Sequence, residues 1–284
     1  MNEEEKMTKK GIFVFIIIFV SLLITPAPVL SGEYDMIAQE IEEAYINKKP
    51  RPLVSQKVNN LTIEQAHEIQ TTLIHRMESK GEICMGYKIG LWAPAAQKRF
   101  GLNGPAHGTL FKSMLRWPGT IYLKNHTRLF VEPEIGFRFQ KDITKPIDDI
   151  KVLKRAVAIT YPAIELPDIA YPDMKLLRGV DLIASNVASR KVLIGNAAKA
   201  KDLNAVTVKL LHNGQEITTG IGKNAGGDQW EALKWAVNDV LAKGGEIKAG
   251  YIVITGILTK LTPAKPGKYV ADYGSFGKIE FEFK

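Results

Sequence analysis

Two glutamates one residue apart inside an apolar segment, Glu132-Pro133-Glu134 in FVEPEIGF, constrain this chain more than any other feature. In a β-strand, residues i and i+2 leave the same face, so a strand here sets two carboxylates about 7 Å apart on one side of a sheet. Ionised carboxylates at that spacing repel, and the pair calls for a cation or a shared proton unless the face is solvated. Glu165, in the second apolar segment PAIELPD, offers a third carboxylate. Three carboxylates make an all-oxygen ligand set, the kind that suits Mg²⁺ or Mn²⁺. Taken alone, the tripeptide fits a solvated strand face as well.

The first residues carry a second signal. Residues 12–25, IFVFIIIFVSLLIT, are almost wholly apolar, and Pro26 and Pro28 end any helix there. Val29-Leu30-Ser31 makes a cleavage point before Gly32, so residues 1–31 read as a secretory signal peptide. The uncharged stretch from Ile12 to Leu30 is 19 residues, which leaves an uncleaved membrane anchor as the alternative. Either reading expects the rest of the chain to be exported, periplasmic or extracellular, touching a membrane only through this segment. The single cysteine, Cys84, excludes an intrachain disulfide.

The remainder, about 250 residues, is long enough for one large domain or two small ones. The composition of the whole chain, 45% apolar and 24% charged, is that of an ordinary globular protein. The net charge of +8 arises outside the first 31 residues, where Glu3, Glu4 and Glu5 cancel Lys6, Lys9 and Lys10. The lysines are scattered, which argues against a nucleic-acid partner and fits a small anionic substrate.

Residues 34–48 read as an amphipathic helix with Met36, Ile37, Ile41 and Tyr45 on one stripe. Thr62-Ile63-Glu64-Gln65 has the form of a capping box opening a helix to about Lys80, with Ala66, Ile69, Leu73 and Met77 inward and Gly81 closing it. From Ile83 the texture changes to short apolar runs between Gly, Pro and Asn turns: 83–90, 108–111, 120–122, 129–139 and 157–165. Helices are expected at 147–155 and at 229–243, the latter with Trp230, Leu233, Ala236, Val237 and Leu241 as its stripe. The end alternates Ile279, Phe281, Phe283 against Glu280, Glu282, Lys284, the pattern of a half-buried strand. A helical N-terminal part at 34–82 and a β-rich part at 83–284 are expected.

Eight short words in order, LTIEQAHEIQ, GYKIG, GPAHGTLF, VEPEIGF, PAIELPD, ASNVASRKVLIG, a Gly-rich turn before a Trp-bearing helix, and YIVITGILT, resemble the 2-keto-4-pentenoate hydratase branch of the fumarylacetoacetate hydrolase superfamily. That branch also holds 2-oxohept-3-ene-1,7-dioate hydratases and 4-oxalocrotonate decarboxylases. The resemblance spans roughly Tyr34 to Lys284. It implies an α+β fold, a mixed β-sheet barrel or sandwich core with a helical N-terminal subdomain, together with a divalent metal (Mg²⁺ or Mn²⁺) and homo-oligomers. Glu132 and Glu134 match the E-x-E metal ligands, Glu165 the third ligand, and Lys88 the active-site lysine. Asn186, Ser189 and Thr255 match positions near the substrate in relatives.

The chemistry of the residues agrees with that implication. A 2-oxo acid presents a carboxylate oxygen and a keto oxygen as a five-membered chelate to a hard cation with open positions. The cation stabilises the enolate formed next to the keto group. Lys88 is suited to anchor the substrate carboxylate or to move a proton if burial lowers its pKa. The implied activity is a hydratase adding water to a 2-hydroxy-dienoate or 2-oxo-enoate. A decarboxylase on a related 2-oxo acid uses the same enolate, and a non-catalytic exported carboxylate-binding protein of the same fold is the reading from a different class.

Three words depart from the family pattern. Relatives carry an acid in a proline-acid-aromatic-glycine word where this chain has Pro105-Ala106-His107-Gly108; His107 is expected to lie at the pocket mouth near the metal and Lys88 and to serve as proton shuttle. Relatives carry A-D-N where this chain has Ala184-Ser185-Asn186, and Gly-His/Asn-Pro where it has Gly227-Asp228-Gln229.

Overall fold

The computed structural model of the chain describes residues 31–284; apart from Ser31, the expected leader lies outside the described residues. No described helix is long and apolar enough to cross a membrane.

The described chain opens with two helices, α1 (Ser31–Ile46) and α2 (Ile63–Ser79). The capping box forms: the Gln65 N–H donates to Thr62 Oγ1 at 3.2 Å, and the Thr62 N–H donates to Gln65 Oε1 at 3.0 Å. Ala66, Ile69, Leu73 and Met77 are buried, as their spacing requires. In α1 the buried face is Tyr34, Ile37, Ala38 and Ile41, while Met36, expected inside, is 66% exposed. Met36 lies about 100° around the helix from Ile37, on the solvent side of the true stripe. Lys48, at φ 54, lies just past the end of α1, two residues short of the expected limit.

The larger sheet has the order β2 (Ala106–Phe111), β1 (Cys84–Gly90), β10 (Ile252–Ile254), β5 (Phe130–Phe139), β6 (Val157–Leu166), β7 (Lys191–Ile194) and β3 (Leu115–Arg116), with β11 (Thr262–Pro263) pairing to the start of β5. The smaller sheet has the order β4 (Thr120–Ile121), β13 (Lys278–Phe283), β12 (Gly267–Asp272), β8 (Thr207–His212) and β9 (Gln215–Ile221). Parallel pairings (β1 with β10, β3 with β7, β13 with β4) among antiparallel ones make both sheets mixed. Four further helices, α3 (Pro94–Phe100), α4 (Ile150–Ala156), α5 (Gly179–Ala184) and α6 (Gln229–Ala242), complete the α+β architecture.

Strand alternation sorts the larger sheet into two faces. Tyr87, Ile89, Ile135, Phe137, Ile164, Leu193 and Val253 join the smaller sheet and α6 in one apolar cluster. Tyr161, Ala163, Val192, Ile252 and Ile254 leave the opposite face and join α1 and α2 in another. Phe137, Phe139, Tyr269, Phe276 and Phe283 are all but inaccessible, and burial of each contributes roughly 1.5–3 kcal/mol.

The β8–β9 hairpin turns at Asn213-Gly214 with φ 50 and 82, the left-handed pair that Asn-Gly between two strands favours. The expected helix at 147–155 begins at Ile150 instead. Asp149 is its N-cap, accepting from the Lys151 N–H, and Ile147 is pinned earlier by the Asn238 side chain.

Candidate metal centre

Glu132 and Glu134 leave β5 on the helix-covered face, as i and i+2 in a strand must. Pro133 between them sits in the gap between the β11 pairing, which reaches Val131 of β5, and the β10 pairing, which starts at Gly136 of β5. Its missing N–H therefore breaks no ladder bond. Across the antiparallel pair, Glu165 of β6 stands directly opposite Glu132, and Ala163 stands opposite Glu134. One carboxylate oxygen from each of the three acids lies within 4.8 Å of the others.

Lys88 of β1 reaches the same point. Its Nζ donates to Glu165 Oε2 at 3.1 Å and stands 2.9 Å from Glu165 Oε1, the latter outside hydrogen-bond alignment. Glu134 Oε2 accepts the Gly256 N–H at 2.8 Å. Gly256, at φ 108 just past β10, lies so close to Trp92 that a Cβ would stand 2.7 Å from its Cδ1, so only glycine fits. Glu134 Oε1 and Glu165 Oε1 are buried without a hydrogen-bond donor among the described residues.

Burial, reinforced by the charges of Glu165 and Glu132, pushes the Glu134 carboxyl well above its ordinary range. Burial and the Glu165 charge push Glu132 up to about 8, against the opposing pull of Lys88. For Lys88 burial works against the charge, but Glu165, Glu132 and Glu134 outweigh it and hold the ammonium above its usual pKa. The lysine is thus a held cation, contrary to a burial-lowered base. One ammonium against three acids leaves an excess of two negative charges when all ionise. Glu134 Oε1, buried with no donor among the described residues, and the oxygens of Glu132 and Glu165 make a donor set that fits a hard divalent cation.

His107 does not join this cluster, while Asn186, Ser189 and Thr255, expected near the substrate, lie in the scaffold around it. His107 of β2 is the register partner of Ile89, whereas Lys88 is the partner of Gly108, so His107 and Lys88 leave the β1–β2 pair on opposite faces. His107 Nδ1 instead meets Asp239 Oδ2 of α6 at 2.7 Å, and its ring stacks 6.1 Å from His67. Burial would raise the Asp239 carboxyl, but His107 and Lys243 outweigh it and hold it below the ordinary value. His107 lines a cleft of about 1110 Å³ between α2 and the end of α6, which the three acids do not line. In the proline-acid-aromatic-glycine word the acid's place falls on Ala106. Its partner is Gly90, on the face of Lys88.

Asn186 is consumed by the scaffold. Its Oδ1 accepts the Thr109 N–H at 2.7 Å and its Nδ2 donates to the Thr109 carbonyl at 2.9 Å, a two-point clasp on the edge strand β2. Gln70 of α2 adds a bond to the same Oδ1 at 3.3 Å. The clasp holds three consecutive non-glycine residues, Asn186, Val187 and Ala188, at φ 58, 49 and 57. Left-handed backbone costs roughly 1–2 kcal/mol per residue, most for a β-branched side chain such as Val187. Val187 is thereby seated against Gly90, where a Cβ would stand 3.2 Å from Val187 Cγ1 and 3.5 Å from Lys88 Nζ. Ser189 Oγ donates to the Asn186 carbonyl at 2.8 Å and closes on Gly108, where a Cβ would stand 2.5 Å from that oxygen. Thr255 is buried, its Oγ1 bonded to Gln229 Oε1 at 2.6 Å and its carbonyl accepting from Trp92 Nε1 at 2.7 Å. Asn186 and Thr255 therefore build the walls.

Sequence reading missed Gly256 and Tyr273, whose backbone and hydroxyl support Glu134. Gly256 lies in the word YIVITGILT and Tyr273 in the closing segment, but neither has a spacing that points to Glu134; only the fold brings them to β5.

No protein-family model matches the chain. It is 30% identical over 223 residues to the 2-keto-4-pentenoate hydratase of Burkholderia vietnamiensis (strain G4 / LMG 22486), covering 77% of this chain and 85% of that one. It is 27% identical over 252 residues to the 2-keto-4-pentenoate hydratase of Paraburkholderia xenovorans (strain LB400), covering 87% and 93%. Among solved structures, 4-oxalocrotonate decarboxylase from Pseudomonas putida G7, complexed with magnesium and adipate, superposes with a TM-score of 0.84 at 23% identity, covering 89% of this chain and 98% of that one.

Proposed function

The chain belongs to the 2-keto-4-pentenoate hydratase family of the fumarylacetoacetate hydrolase superfamily, and from that premise we propose that it is a divalent-metal-dependent hydro-lyase acting on a small 2-hydroxy-dienoic or 2-oxo-enoic acid. The observation that carries this reading is the convergence of Glu132, Glu134 and Glu165, with Lys88 bound to the third. The donor set suits Mg²⁺ or Mn²⁺, hard cations that take carboxylate oxygens.

A divalent cation, when bound, supplies Lewis-acid polarisation of a 2-oxo acid at its keto and carboxylate oxygens. Glu132, Glu134 and Glu165 would hold it, and the Gly256 N–H fixes the rotamer of Glu134. Lys88, fixed on Glu165 and next to the Val187 wall, offers a positive charge to a substrate carboxylate and a proton at Nζ. The left-handed turn at 186–188 places strained backbone against Gly90 beside Lys88, the pattern of a site held in one geometry. Self-association into a homo-oligomer, usual in this family, and export directed by the apolar run at 12–25 belong to the same proposal.

The test is Mg²⁺- or Mn²⁺-dependent loss of the dienol absorbance of 2-hydroxypenta-2,4-dienoate. Release of CO₂ from 4-oxalocrotonate in place of that turnover assigns the decarboxylase chemistry. A second reading, cation-dependent binding of a carboxylate without turnover, draws support from Ala106, since this face of β2 carries a methyl group where relatives carry an acid. Cation-dependent protection by 2-oxo acids with no turnover of any of them would establish it.

A further inference from the structure

Tyr273 follows β12 of the smaller sheet, yet its hydroxyl ends inside the larger one. It accepts the Glu134 backbone N–H at 3.0 Å and donates to the Ala163 carbonyl at 2.7 Å. Glu134 and Ala163 are direct register partners across β5 and β6. The carbonyls of Pro133 and Ile135 accept from the Leu258 and Thr255 N–H groups, on the side away from β6. Backbone groups alternate along a strand, so the Glu134 N–H points toward β6, into the ladder where the hydroxyl sits. The phenol ring belongs to the apolar cluster between the sheets with Ile135, Ile164 and Phe276, whereas Glu134 and Ala163 put their side chains on the opposite face. The hydroxyl therefore enters the ladder from behind, one rung from the Glu132–Glu165 pair.

The approach is built into the local turn. The Tyr273 N–H donates to the Gly277 carbonyl at 2.9 Å, closing a turn through Gly274 at φ 61 and Gly277 at φ 124. A Cβ on Gly277 would stand 3.3 Å from Pro162 Cγ, so the turn lies directly against the residue preceding Ala163. Tyr273 is 2% exposed, and both lone-pair and proton sides of its hydroxyl are engaged.

We propose that Tyr273 is a positioning residue for the cation site. By fixing the Glu134 peptide from the core side, it sets where the Glu134 carboxylate stands relative to Glu132 and Glu165. Glu134 is held at both ends: the side-chain oxygen by Gly256, the peptide by Tyr273. Three carboxylates that repel one another need such external restraint to present one geometry to a small, strict cation. The smaller sheet is in this way coupled to chemistry on the far side of the larger one.

This inference rests on the cation-site reading of Glu132, Glu134 and Glu165. The test is the dissociation constant of Mn²⁺, read by electron paramagnetic resonance at a temperature well below unfolding, for the parent, Tyr273→Phe and Glu134→Gln. Tyr273→Phe is expected to weaken Mn²⁺ about tenfold with an unchanged far-ultraviolet circular dichroism spectrum, and to weaken Mg²⁺ more than Ca²⁺, whose coordination is more tolerant. A lower melting temperature with parental Mn²⁺ affinity would mean a purely structural role and overturn the proposal. If parent and Glu134→Gln both fail to bind Mn²⁺, the cation reading itself falls and this inference with it. Should Tyr273→Phe not fold, 4-aminophenylalanine at this position keeps the ring and a donor to the Ala163 carbonyl but accepts the Glu134 N–H poorly; parental affinity there overturns the proposal, and weakened affinity sustains it.

Discussion

Glu132 and Glu165 face each other as direct partners across β5 and β6, and the Lys88 ammonium lies against the second of them. Two carboxylates in register, Glu165 buried and Glu132 half-buried, repel when both ionise and favour an added positive charge. One lysine does not balance three acids. Mg²⁺ or Mn²⁺ is therefore expected to raise the melting temperature by mass action, several degrees at a hundredfold excess over the dissociation constant. Glu132→Gln should fold and lose that response. An undiminished metal response in the variant, followed by differential scanning fluorimetry, would remove Glu132 from the ligand set.

The cation-free protein should lose stability as pH rises. Glu132 titrates near 8 in the fold against an ordinary value of 4.5. Between those limits the folded state keeps a proton that the unfolded state has released, so stability falls with rising pH across that window. Saturating Mg²⁺ should flatten the slope, because the cation replaces the proton. Melting curves from pH 5 to 9 with chelator and with Mg²⁺ check this, and Glu132→Gln should make the chelator curve shallower, the remaining slope coming from the buried Glu134.

Lys88→Met leaves Glu165 buried beside two further acids with its partner gone. Removing one member of a buried pair costs about 3–5 kcal/mol, so the variant should be strongly destabilised in chelator and partly restored by Mg²⁺. Turnover should be lost in both conditions. Cation-independent stability equal to the parent's, measured by urea denaturation, would show that the pair contributes nothing.

His107→Ala should lower stability by about 1 kcal/mol through the lost bond to Asp239, which keeps Lys243, and leave kcat close to the parent's, because its ring faces α6 and not the cation-site acids. Ala106→Asp, which returns an acid to the face of Lys88, should raise kcat, by up to about 10²-fold if proton transfer limits the parent. Steady-state kinetics on both variants decides between the two faces. A hundredfold fall in kcat for His107→Ala would restore the histidine as the shuttle.

Asn186→Asp keeps the acceptor for the Thr109 N–H but sets a carboxylate against the Thr109 carbonyl. Loss of the clasp should release the left-handed turn, costing about 1–3 kcal/mol, and raise KM as Val187 leaves Gly90. Unchanged KM and melting temperature would show that the turn holds without it.

Periodicity alone carried most of the secondary structure. The capping box at Thr62 and Gln65, the apolar stripe of α2, the long strands around Glu132–Glu134 and Glu165, and the alternation at Ile279–Phe283 depend on neighbours within one element, which sequence spacing records. That two acids at i and i+2 share a face is likewise a property of the strand itself. What pairs with what is not local. The register that sets Glu165 opposite Glu132, the parity that turns Lys88 toward them and His107 away, and the entry of Tyr273 from the other sheet arise only when strands distant in sequence meet. In a strand one position changes the face, so a word such as Pro105-Ala106-His107-Gly108 names its residue types without saying which of them sees the chemistry. Ala106 and His107 are separated by that single step, and the packing of β2 on β1 decides it.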